Sequence, residues 1–112
     1  MFAAHFKLDN LTMIVDYNKL QSLCSIEETI GLEPLVDKFE AFGLYCIEVD
    51  GHDLDELNNA FIKAANKKGK PTIIIAHTTK GKGVEFMENT VEWHYKSPSD
   101  EQLQVALQEI ER

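Results

Sequence analysis

Three short stretches carry side chains able to do chemistry. "DYNKL" (16–20) follows the apolar run Thr12 to Val15, which reads as a buried strand, and sets Asp16, Tyr17 and Asn18 at its carboxyl end. Parallel α/β sheets bind ligands at that end. Asx residues after a strand also make turns and helix caps, so the stretch reads either as a turn or as groups held out toward a ligand. "HTTKGKG" (77–83) leaves a second apolar run with two glycines and two lysines. Glycine lets the backbone curl around an anion, and lysine brings a point charge for phosphate. The spacing is not GxxxxGK[ST], so this is no Walker loop, and a plain flexible loop is the alternative. "EWHYKSP" (92–98) sets His94 beside Trp93, either as a packed loop pair or as an imidazole available for catalysis. Asn18, Lys80 and His94 are each expected in loops at one edge of a sheet, and convergence on one rim favours a ligand site over unrelated loops.

The elements that must position these residues alternate in type. Residues 11–16 read as a strand. Residues 33–43 read as a helix with Leu35, Val36, Phe39 and Phe42 on one face, Pro34 in the first turn and Gly43 just past the end. Residues 45–49 form the next strand. Within 50–71 a helix begins at the cap Asp53, with Glu56 placed for a capping box and Leu54, Leu57, Phe61 and Ala64 or Ala65 as its apolar stripe. Lys67, Lys68 and Lys70 suit its carboxyl end. Residues 72–78 are continuously apolar, as in a central parallel strand, and 99–110 form a last helix with Ser99 and Gln102 as a capping pair and Leu103, Leu107 and Ile110 facing inward. The order β-α-β-α-β-loop-α predicts a doubly wound α/β fold with a parallel sheet. It is incomplete at about three strands, where sheets average about five or six. "MFAAHFKLDN" has Phe2, Ala3 and Phe6 at helical spacing with no preceding cap and reads as the last turns of a helix. Residues 1–112 are therefore expected to be the carboxyl-terminal part of a larger domain.

Composition limits the partners. The 112 residues are 44% hydrophobic and 27% charged, ordinary for one globular domain. A formal charge of −8, from 19 acidic against 11 basic residues, argues against a nucleic acid or an anionic membrane as the main partner, so a bound phosphate needs a local basic group. No stretch approaches the roughly 18 apolar residues of a membrane span, and the amino terminus does not resemble a secretory signal, so a cytoplasmic protein is expected. Cys24 and Cys46 lie in unrelated contexts and form no CxxC, which predicts free thiols rather than a disulfide or zinc site.

"MFAAHFKLDNLTMIVDYNKLQ", "FEAFG", "EVDGHD", "TKGKG" and "WHYKSP" together resemble, in order and spacing, the thiamine-diphosphate-binding domain of transketolases. The likeness is greatest to the amino-terminal section of the split bacterial and archaeal enzymes, and it covers nearly the whole chain. It implies an enzyme that moves a two-carbon ketol unit between sugar phosphates, with thiamine diphosphate and a divalent metal, usually magnesium. It also implies a homo- or hetero-oligomer in which a separate pyrimidine-binding section supplies the glutamate that activates the cofactor. By the same resemblance Asn18 finishes the family's metal motif, and Leu20 adds its backbone carbonyl as a further oxygen ligand, the kind magnesium takes. Lys80 matches a lysine near the cofactor. His94 matches a catalytic histidine near both cofactor diphosphate and substrate, where it can donate to phosphate or to a developing oxyanion. Two departures stand out: Tyr95 replaces the glycine usual after Trp-His, and no Gly-Asp-Gly, the start of the metal motif, occurs in the sequence. His5, His52 and His77 do not stand in for the family's upstream active-site histidines. The resemblance thus predicts an isolated chain that is inactive and binds the cofactor feebly; the alternative is a non-catalytic α/β interaction or regulatory module derived from the same domain.

Overall fold

The segment Thr72–His77 (β3) is rich in β-branched residues, which suit a pleated surface covered on both faces. In the computed structural model, which describes residues 1–111, every residue from Thr72 to Ala76 is buried. β3 lies between β1 (Thr12–Tyr17) and β2 (Tyr45–Asp50), both parallel to it, in the order β1-β3-β2. Thr72 pairs in register with Thr12 and Tyr45, and His77 with Tyr17 and Asp50. The expected parallel α/β sheet of three strands is thus present, with its most apolar strand in the centre.

The chain divides into two compact units, Met1–Tyr17 with Leu32–Thr78, and Asn18–Gly31 with the stretch from Thr79 onward. The first holds the sheet together with α1 (Phe2–His5), α3 (Leu35–Ala41) and α4 (Leu54–Asn66). α4 starts where the sequence indicates. The Asp53 carboxylate accepts the Asp55 and Glu56 N–H groups at 2.9 and 3.0 Å, satisfying two of the donors that a helix start leaves open. Glu56 does not complete a capping box: its carboxylate accepts the Asp50 N–H at 2.8 Å instead. Asp53→Ala is expected to lower stability by about 1 kcal/mol, within a range of about 0.5–2. A urea denaturation midpoint unmoved by the change would contradict that role.

The face that α4 buries differs from the expected stripe. Ala60 is buried with Val49, Ile74 and Ala76, and Leu57 and Ile47 pack against this cluster, whereas Leu54 and Phe61 are exposed. Alanine at the contact lets the helix lie close to the sheet, and the larger side chains stand to either side. α3 ends in a Schellman motif: Gly43, at φ +89°, donates its N–H to the Glu40 carbonyl at 2.8 Å, and Leu44 donates to Phe39 at 3.2 Å. Pro34 is the N-cap rather than part of the first turn, and Phe42, beyond the last helical residue, is exposed. Leu35 and Leu44 supply the buried contacts.

β1 corrects the reading of a fully buried strand. It is an edge strand, and Ile14 is 55% exposed. Alternation along the strand turns Met13, Val15 and Tyr17 toward one face and Ile14 and Asp16 toward the other. Tyr17, expected to be held out toward a ligand, is 3% exposed and donates its hydroxyl to Glu33 at 2.6 Å. Asp16 accepts the Thr78 hydroxyl. Cys24 and Cys46 are free thiols, as expected; burial, then Glu40 and Glu48, push the Cys46 thiol above its ordinary pKa.

The second unit contains α2 (Ile26–Thr29) and α5 (Asp100–Ile110), with single 3₁₀ turns at Glu85–Met87 and Val91–His94. α5 begins with the Ser99–Gln102 capping box that the sequence indicates, at 3.3 and 2.9 Å. Its inward residue is Ala106, whereas Leu103, Leu107 and Ile110, expected to face inward, are exposed, since nothing among the described residues covers that side. α2 is an element that the sequence pattern does not announce, although it carries its own Ser25–Glu28 capping box. Among the described residues no helix is long and apolar enough to cross a membrane.

Candidate anion and metal site

Asn18 opens the second unit, directly after β1 in the chain. Lys19 takes a left-handed backbone, φ +64°, which returns the chain so that the Leu20 N–H reaches the Asn18 side-chain oxygen at 2.9 Å. A narrow antiparallel bridge then joins Leu20 to Ser25, its hydrogen bonds running from Gln21 N–H to Cys24 and from Ile26 N–H to Lys19. In that pattern the backbone groups of Leu20 itself turn away from Ser25. The Leu20 carbonyl therefore stays outside the ladder, and the Asn18 oxygen keeps a second lone pair beyond the one that Leu20 uses.

Lys80 belongs to the loop after β3. Its carbonyl accepts the Asn89 N–H at 2.9 Å, closing the loop. Gly81, at φ +73°, is required there: a Cβ would stand 2.5 Å from the Met87 carbonyl oxygen. Gly83 donates its N–H to Glu88 at 3.0 Å, and Lys82 lies 3.6 Å from the same carboxylate. The two glycines and Lys82 thus serve the loop's own closure, which corrects the reading of a glycine backbone wrapped around an anion. Lys80 is half-buried, and among the described residues no carboxylate pairs with it.

His94 is the last residue of the 3₁₀ turn Val91–His94 rather than of an irregular loop. Trp93 anchors that turn, with its indole N–H donating to the Phe86 carbonyl at 2.9 Å, its ring 5.2 Å from Phe86 and the Lys96 ammonium 4.7 Å above it. His94 is exposed, and Tyr95 meets its ring edge to face at 4.5 Å.

Asn18, Leu20, Lys80 and His94 line one cavity of about 280 Å³, together with Gln21 and Ser22. All the residues singled out for chemistry are therefore brought together. Gln21 and Ser22 are additions that the sequence reading missed; their place in the same tight loop after Asn18 was the available signal. The lining holds one cation, one imidazole and neutral oxygens, with no carboxylate. In a chain of net charge −8 that composition suits an anion. Asn18 and Leu20 bring two oxygens suited to a hard divalent cation, part of the six or so such an ion takes, so ligands from elsewhere must complete the shell. No group of three or more His, Cys, Asp and Glu residues able to hold a metal occurs among the described residues.

The other histidines lie in the first unit. His5 ends α1, His52 donates its backbone N–H to Asp50 at 2.8 Å, and His77 Nε2 lies 2.9 Å from Glu48.

The family profile described as transketolase, thiamine diphosphate binding domain, matches residues 1–110. One of the two subunits of an apulose-4-phosphate transketolase from Phocaeicola vulgatus is 38% identical over 110 residues, covering 98% of this chain and 39% of that protein. A 6-deoxy-6-sulfo-D-fructose transketolase subunit from a Clostridium species is 39% identical over 112 residues, covering 100% of this chain and 41% of the relative. The chain thus spans about two fifths of the length of these curated relatives. Among solved structures, a transketolase from Campylobacter jejuni superposes with a TM-score of 0.88 at 30% identity, over 98% of this chain and 17% of that one. The chain belongs to the transketolase thiamine diphosphate binding domain family.

Proposed function

We propose that residues 1–112 are the carboxyl-terminal part of a thiamine-diphosphate-binding domain, and that they serve a cytoplasmic transketolase moving a two-carbon ketol unit between sugar phosphates. The observation that carries this reading is the cavity in which an unpaired lysine, a histidine and two oxygens meet without a carboxylate. Lys80 neutralises diphosphate charge. His94 donates a hydrogen bond to phosphate or to the oxyanion of the substrate sugar as charge develops there. Asn18, through its side-chain oxygen, and Leu20, through its carbonyl, hold part of the magnesium shell, the diphosphate oxygens and an acidic ligand from outside these residues supplying more. Thiamine diphosphate, when bound, supplies the carbon nucleophile that carries the ketol unit. The residues of this chain bind, orient and stabilise charge; activation of the cofactor falls to the pyrimidine-binding section of a partner. The relatives named as transketolase subunits, rather than as whole enzymes, support such a division of labour.

Calorimetry on the full-length protein joined with its pyrimidine-binding partner tests this reading. Magnesium-dependent binding of thiamine diphosphate at micromolar concentration, about −8 kcal/mol, is expected in the assembly, with feeble binding by residues 1–112 alone. Lys80→Met is expected to weaken binding and flatten its salt dependence, because it removes the charge and keeps the stem. An unchanged affinity and salt slope would show that Lys80 does not meet phosphate.

A further inference from the structure

The 3₁₀ turn at Val91–His94 has its backbone fixed and its functional side chain loose. Trp93 pins the turn through the Phe86 carbonyl, the Phe86 ring and the Lys96 ammonium. His94, the next residue, has no hydrogen bond from its imidazole to any described residue and is exposed. The remaining freedom is therefore the rotation of its own ring. One side chain limits that rotation: the Tyr95 ring stands at 90° to the imidazole with centroids 4.5 Å apart. Tyr95 is itself 76% exposed, so burial in a core does not account for an aromatic residue at this position. It is also absent from the residues that line the cavity, where His94 is present.

We propose that Tyr95 is a positioning residue for His94, holding the imidazole by an edge-to-face contact in the orientation that lines the cavity beside Lys80. Adjacent residues in irregular backbone do not generally stack, and an edge-to-face pair contributes beyond its buried area because the positive edge of one ring meets the negative face of the other. Fixing the imidazole before an anion arrives removes the rotational freedom that binding would otherwise have to freeze. The inference rests on the reading of His94 as a diphosphate or oxyanion donor. It deepens that reading by assigning a role to the side chain at which this chain departs from the glycine usual after Trp-His.

A double-mutant cycle on the assembled protein, read by calorimetric titration with inorganic pyrophosphate in the presence of magnesium, tests it. Tyr95→Leu removes the ring without adding glycine's backbone freedom, and its exposed position leaves the fold intact. It is expected to weaken pyrophosphate binding about two- to tenfold, the worth of one edge-to-face pair. Tyr95→Phe, which keeps the ring, restores wild-type affinity. In a His94→Ala background Tyr95→Leu has no further effect, because the residue through which it acts is gone. NMR supplies an independent readout: the His94 ring-proton resonances, shifted by the neighbouring aromatic ring, move in Tyr95→Leu and stay near their wild-type positions in Tyr95→Phe. Should His94→Ala alone leave pyrophosphate binding unchanged, the donor reading fails and this inference with it. Should His94→Ala weaken binding while Tyr95→Leu either does nothing or acts equally in both backgrounds, the donor reading stands and the positioning role is overturned.

Discussion

Replacing His94 by alanine in the assembled protein is expected to lower kcat/KM by about 2–4 kcal/mol, roughly 30- to 1000-fold, the range for removing one preorganised donor from a developing charge. The expectation comes from placement: His94 shares its cavity with an unpaired lysine and two oxygen ligands, and no carboxylate there competes for its proton. His52→Ala is the control. His52 lies in the turn before α4, where its backbone N–H is bound by Asp50, so its loss should register in melting temperature and not in turnover at a temperature where the protein is folded. Equal losses for the two variants would remove the distinction between site and scaffold.

The largest effect on stability is expected at Ile74. It is 0% exposed in the central strand and packs with Val49, Ala60 and Ala76, among them the residues that seat α4 on the sheet. Ile74→Ala deletes buried methyl groups at a place held on both faces, where neighbours cannot collapse far, and should cost about 2–5 kcal/mol. Leu54→Ala, on the exposed side of the same helix, should change stability by less than about 0.5 kcal/mol. Urea denaturation of the two variants side by side measures the difference. Similar midpoints would mean that the contact between α4 and the sheet carries little of the stability.

How legible each part was in the sequence follows from the range of the forces involved. The central strand and the caps were plain, because a run such as Thr72–Ala76 or a pair such as Ser99 and Gln102 is specified by its own residues. The faces were less so. Phe61, Leu103 and Leu107 have helical periodicity, yet the structure buries Ala60 and Ala106 instead, since which side of a helix is covered depends on how closely its neighbour approaches. Tyr17 shows the same limit: its hydroxyl marked it as polar, whereas its place on the buried face of β1 and its bond to Glu33 make it core. Asn18, Lys80 and His94 were readable as separate loop residues, and it is the structure that gathers them into one cavity. The 3₁₀ turn that carries His94 left no trace, because a single turn closed by i→i+3 bonds has no apolar repeat to detect.

A crystal structure of the assembled protein with thiamine diphosphate and magnesium tests the central claim most directly. The account predicts the diphosphate in the cavity lined by Asn18, Lys80 and His94, within hydrogen-bond reach of the Lys80 ammonium and the His94 ring, with magnesium taking the Asn18 side-chain oxygen and the Leu20 carbonyl among its ligands. Diphosphate bound elsewhere, with this cavity holding only water, would contradict it.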